Sequence, residues 1–147
     1  MTEYSLRPAT SGDFPAIKRL IHLVDINPTG LDWHHFLIAV DRSGGLLGCG
    51  QLKPHHGGLV ELASIAVEPI DRHKGVASAI IDRLILQAPR PLYLTCLSSM
   101  VPFYEKWGFR SLKAKDMPSY FRRLVHLFSI MPGWDTGEDV ITVMKLM

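Results

Sequence analysis

At 147 residues with 47% hydrophobic composition, the chain is long enough to bury one core and short for two, so a single domain over residues 1–147 is expected. Sixteen basic against fourteen acidic side chains leave a net charge of +2, too weak a field to argue for nucleic acid or an anionic membrane as partner. No apolar run approaches the ~18 residues that span a bilayer, residues 1–13 lack the basic start and apolar stretch of a signal peptide, and Cys49 and Cys96 lie in apolar, strand-like runs. A cytoplasmic protein with reduced thiols is the expectation.

Tyr4-Ser5-Leu6-Arg7 reads as a first strand, and Thr10, Ser11 and Asp13 supply caps for a helix from about Phe14 to Leu23. Phe14, Ile17, Leu20, Ile21 and Val24 fall at helical spacing, with Lys18 and Arg19 facing out. Residues 25–34 are rich in turn formers and predict a loop with room for one short helix capped by Asp32. Phe36–Val40 and Leu46–Leu52 flank a Gly-containing turn, and His55-His56-Gly57-Gly58 returns the chain into Leu59–Val67, giving an antiparallel meander. Pro69 stops that strand. A helix follows, with Val76, Ile80, Ile81, Leu84 and Ile85 as its buried face, ending before Pro89, and Leu92–Leu97 is a strand again; strand, helix and strand imply a parallel crossover. Val101–Trp107 predicts a short helix closed by Gly108, and Phe109–Leu112 and Val140–Leu146 are the last strands. Between them Phe121, Leu124, Val125 and Phe128 sit at helical spacing; the apolar face of this extra amphipathic helix must cover an acceptor groove, a subunit partner or its own sheet, and the acceptor side is the expectation.

The most informative stretch is Ile65-Ala66-Val67-Glu68-Pro69-Ile70-Asp71-Arg72-His73-Lys74-Gly75-Val76-Ala77, an apolar strand, a basic glycine-containing turn and a helix start. Successive backbone N–H groups at the positive end of a helix hold a pyrophosphate without dedicated side chains. Neither Gly-x-x-x-x-Gly-Lys nor Gly-x-Gly-x-x-Gly is present, which excludes a Walker loop and a dinucleotide fingerprint. The spacing Arg72-x-x-Gly75-x-Ala77 resembles the acyl-coenzyme A loop of the GNAT superfamily of N-acetyltransferases. Phe103-Tyr104-Glu105-Lys106-Trp107-Gly108-Phe109 is similar to that family's closing signature, and Leu6-Arg7-Pro8-Ala9-Thr10 with Asp13 to its opening one. The resemblance implies a GNAT-like α/β fold, with a mixed, mostly antiparallel sheet of six to seven strands, about four flanking helices and a central βαβ acyl-CoA unit.

It further implies an acetyl-CoA-dependent N-acetyltransferase that moves acetyl directly to a primary amine of a small molecule, a peptide or a protein. Arg72, His73, Lys74, Gly75, Val76 and Ala77 are then the cofactor anchor. A strand bulge around Ile65–Val67 would leave the N–H of Ala66 or Val67 for the developing oxyanion. Tyr104 is similar to the family's general acid, and Glu61 stands where the histone-modifying branch carries its basic glutamate, flanked by Leu59, Val60 and Leu62. The family's asparagine, seven residues before the tyrosine, corresponds to Leu97, followed by Ser98 and Ser99, and Ser98 is the candidate cofactor contact there. Glu68 reads as a solvated rim residue. The adjacent pairs His34-His35 and His55-His56 lack metal-ligand spacing, so no metal is expected. A catalytically silent acyl-CoA-binding module is the alternative, in which Glu61 and Tyr104 are structural. No nucleic-acid or membrane partner is expected, and a homodimer is left open.

Overall fold

A computed structural model describes residues 3–130 and 139–147 of the chain. Residues 131–138, between the amphipathic helix and the last strand expected from the sequence, lie outside that range. The chain divides into two compact units, Met1–Ala88 and Pro89–Met147. Among the described residues they contribute seven strands and four α-helices, mostly antiparallel in pairing, as the α/β reading requires.

In the first unit β1 (Tyr4–Pro8), β2 (Phe36–Asp41), β3 (Leu46–Pro54) and β4 (Val60–Val67) form the expected antiparallel meander. Helix α1 spans Phe14–Leu23, and Ile17, Leu20 and Ile21 bury its stripe against Phe36, Ile38, Val40, Cys49 and Ala66. Its entry is fixed by Asp13, whose carboxylate accepts from the Thr10 N–H at 2.7 Å and from Arg7 at 2.8 Å; those bonds hold it well below the usual carboxylate range, the Arg7 guanidinium contributing most. Helix α2 (Val76–Gln87) meets the opposite face of β3, because side chains alternate along a strand and Gly48 and Gly50 point where Cys49 does not.

Those two glycines let α2 approach. A Cβ on Gly50 would lie 2.6 Å from Ile65 Cδ1 and 2.9 Å from Ile80 Cγ2. Gly50→Ala should therefore destabilise the domain by about 1–3 kcal/mol through overpacking, read as a lower urea midpoint at unchanged m. An unchanged midpoint would show that α2 is free to shift.

The second unit is built on β5 (Leu92–Leu97), β6 (Arg110–Ser111) and β7 (Ile141–Leu146), with β7 antiparallel to both of the others. Helix α3 (Val101–Glu105) is shorter than expected. Its last turn unwinds through Trp107 to Gly108, whose φ of +97° serves the left-handed exit. Helix α4 (Ser119–Ile130) buries Phe121 fully, with its ring 5.4 Å from that of Tyr93 on β5, so this residue of the apolar face packs on its own sheet where the acceptor side is the expectation. No helix among the described residues is long and apolar enough to cross a membrane.

Candidate active site

The turn from β4 to α2 carries the anchor residues. His73 and Gly75 both have positive φ, +64° and +81°, so the chain reverses twice within three residues and presents successive N–H groups as a nest. Gly75 is the N-cap of α2 and has no side chain to satisfy the helix start, while the first intrahelical bond runs from the Ala79 N–H to the Gly75 carbonyl at 3.0 Å. The N–H groups of Val76, Ala77 and Ser78 precede that bond and lack intrahelical acceptors by helix geometry. A Cβ on Gly75 would meet nothing within 4 Å, so the space beside the cap is open. Arg72, His73 and Lys74 are exposed around it, and Lys74 Nζ stands 3.4 Å from Asp71 Oδ1. A basic, glycine-capped helix start with clear space beside it fits the pyrophosphate of a coenzyme A.

The β4 bulge lies earlier than the family resemblance implies, at Ser64–Ile65. Cys49 pairs with Ala66 and Gln51 with Ala63, so Ser64 and Ile65 together oppose Gly50, and Ser64 takes a φ of +59°. Beyond the bulge the Glu68 N–H donates to the Leu47 carbonyl at 2.8 Å. By the alternation of an antiparallel ladder, the Ala66 N–H is then committed to β3 and that of Val67 is turned away from it. Ala66 and Val67 are thus not equivalent oxyanion donors, and only Val67 has its N–H on the other edge of the strand. Glu68 is not solvated either: its carboxylate is largely covered and pairs with Arg19.

Glu61 is buried, and its Oε1 lies 2.7 Å from His55 Nε2. Directly across the ladder stands Lys53, but its ammonium donates to the Thr29 carbonyl at 3.0 Å, in the 25–35 loop. Gln51, fully buried on the same face, donates from Nε2 to Ser64 Oγ at 2.9 Å and to the Gly30 carbonyl at 3.3 Å. Its Oε1 has no partner among the described residues. This polar row joins the bulge, the loop and the glutamate. Composition concealed it, and the signal for it was the period-two parity of Gln51, Lys53 and His55.

In the second unit Tyr104 sits among aromatic rings, 5.1 Å from Phe103 and 6.2 Å from Phe109. Burial, with a smaller effect of Cys96, pushes its phenol up to about 12. Ser98 is committed within that unit. Its hydroxyl donates to Asp139 at 2.8 Å and accepts from the Val140 N–H at 3.0 Å, while Ser99 holds the other carboxylate oxygen. Both free cysteines are raised by burial, Cys49 to about 12 and Cys96 to about 11, which makes them poor nucleophiles. Among the described residues no group of three or more His, Cys, Asp and Glu could hold a metal.

An acetyltransferase (GNAT) domain family matches residues 32–111, which contain β2 through α3, the glycine-capped turn and Tyr104. The chain belongs to the GNAT acetyltransferase family. An amino-acid acetyltransferase of Mycobacterium tuberculosis is 32% identical over 121 residues, covering 74% of this chain and 69% of that protein. N-acetylglutamate synthase from Neisseria gonorrhoeae, complexed with coenzyme A and N-acetyl-glutamate, has the same fold at a TM-score of 0.75 and 20% identity. The chain is wholly covered there but spans only 36% of the synthase. Rv2747 from M. tuberculosis, in complex with CoA, superposes at 0.74 with 22% identity over 97% of this chain and 99% of its own. This GNAT domain is an acetyl-CoA-dependent N-acetyltransferase with an amine acceptor.

Proposed function

We propose that this GNAT domain acetylates the α-amino group of a free amino acid. What supports the acceptor class is the similarity to an amino-acid acetyltransferase over most of the chain. What supports the chemistry is the glycine-capped, doubly reversed turn at Arg72–Ala77, which follows the end of β4, together with the buried glutamate at the start of that strand.

Bound acetyl-CoA supplies the thioester whose carbonyl the amine attacks. The N–H groups from His73 to Ala77, with Arg72 and Lys74, hold the pyrophosphate. Glu61 takes a proton from the ammonium on its carboxylate, directly or through water, so that the nitrogen lone pair is exposed. The Val67 N–H faces the charge that develops on oxygen. Tyr104 keeps its proton on Oη at neutral pH and is the donor to the departing sulfur.

An amine panel of the twenty amino acids, a polyamine and a short peptide, assayed by thiol release, tests the acceptor class. One or a few free amino acids should be preferred by at least tenfold in kcat/KM, about 1.4 kcal/mol. A preference for the peptide or polyamine would overturn it. Glu61→Gln tests the base and should lower kcat by about 10²-fold at unchanged coenzyme A affinity.

A further inference from the structure

The β3–β4 turn is written His55-His56-Gly57-Gly58, and both glycines adopt positive φ, +79° and +80°. The His55 N–H closes the turn on the Leu59 carbonyl at 2.7 Å, which keeps His55 extended and in phase with β3. Phase decides where its ring goes. Residues 51, 53 and 55 share one face, and the register Lys53↔Glu61 puts Glu61 on that face as the diagonal neighbour of His55. The two side chains are 13% and 7% exposed.

We propose that His55 is a positioning residue for Glu61, an inference that rests on Glu61 being the base. With Glu61 ionised, as a base must be, two lone pairs cannot face each other at 2.7 Å, so Nε2 carries the proton and donates to Oε1, whether the ring is neutral or charged. That bond occupies one carboxylate oxygen and fixes the plane of the group. Oε2 is left as the oxygen that meets the amine. Lys53, the cation the ladder sets across from Glu61, does not supply this bond because its ammonium is held by Thr29. A carboxylate that would otherwise rotate among several orientations is thus held in one, which is how a neighbour that never touches substrate raises the rate of a proton transfer.

A double-mutant cycle on the purified domain tests this, with saturating acetyl-CoA and the panel amine turned over fastest. His55→Ala should lower kcat about tenfold, with acceptor KM and coenzyme A affinity within about threefold of wild type. His55→Gln, which keeps a side-chain donor, should recover most of the loss. In the Glu61→Gln background His55→Ala should have no further effect, because its target is gone. Additive losses, or wild-type kcat in His55→Ala, would overturn the role of His55 while leaving Glu61 as base. Wild-type kcat in Glu61→Gln would overturn the base and this inference with it. His55→Leu fills similar space and replaces His55→Ala if that variant does not fold. An imidazole N–H proton resonance that is absent from both His55→Gln and Glu61→Ala is the expected spectroscopic signature. Its persistence in Glu61→Ala would show that the pair does not form.

Discussion

Replacing Tyr104 by phenylalanine should lower kcat by about 10²-fold or more while leaving coenzyme A affinity nearly intact, because only the hydroxyl is lost from a ring already packed among Phe103, Trp107 and Phe109. The same burial sets the pH behaviour. A phenol pushed up to about 12 is in its neutral, proton-bearing form below that pH, so the donor form is fully populated across the working range. Loss of the donor should appear only as pH rises toward about 12, two units above an ordinary tyrosine. The measurement is kcat against pH for wild type and Tyr104→Phe, with stability checked at each pH. An alkaline fall near pH 10 that vanishes in Tyr104→Phe would mean the phenol is not held in the buried state described here.

Gly75→Glu should weaken coenzyme A binding by at least tenfold, roughly 1.4 kcal/mol, with the fold retained. Two effects combine. A carboxylate is placed where the helix start and the exposed Arg72, His73 and Lys74 attract an anion, and a side chain is forced onto a backbone with φ of +81°. Gly75→Asn separates them, since asparagine tolerates the left-handed region and carries no charge. It should bind coenzyme A within a few-fold of wild type. The space around Gly75 is open, so neither side chain meets a steric clash in the free protein. Calorimetric titration with coenzyme A reads both variants. Wild-type affinity in a folded Gly75→Glu would remove the turn from the cofactor site.

The comparison of Glu61 and Ser98 shows how far local pattern reaches. Both stand at a fixed position relative to a motif, Glu61 at the start of the strand before the basic turn and Ser98 six residues before Tyr104. Glu61 is buried on a strand beside a titratable partner, whereas Ser98 has its hydroxyl held by Asp139, forty-one residues further on. No local window contains that bond. The bulge is similar: an apolar run such as Leu62-Ala63-Ser64-Ile65-Ala66 does not state which residue leaves the ladder, because the extra residue is defined by the register of β3.

By itself the sequence determined the element order, the hydrophobic stripe of α1, the meander, the basic glycine-capped turn and the aromatic signature around Tyr104. Each follows from interactions within about ten residues, where periodicity, capping and the conformational freedom of glycine dominate. The tertiary structure decided the rest. Only it showed that α4 lies on its own sheet through Phe121, that Glu68 pairs with Arg19, that Lys53 is drawn to the loop, and that Glu61 is paired with His55. These are choices among partners of equal chemistry. Several cations lie near enough in sequence to serve a given carboxylate, and strand register together with loop closure selects the one whose side chain arrives on the same face.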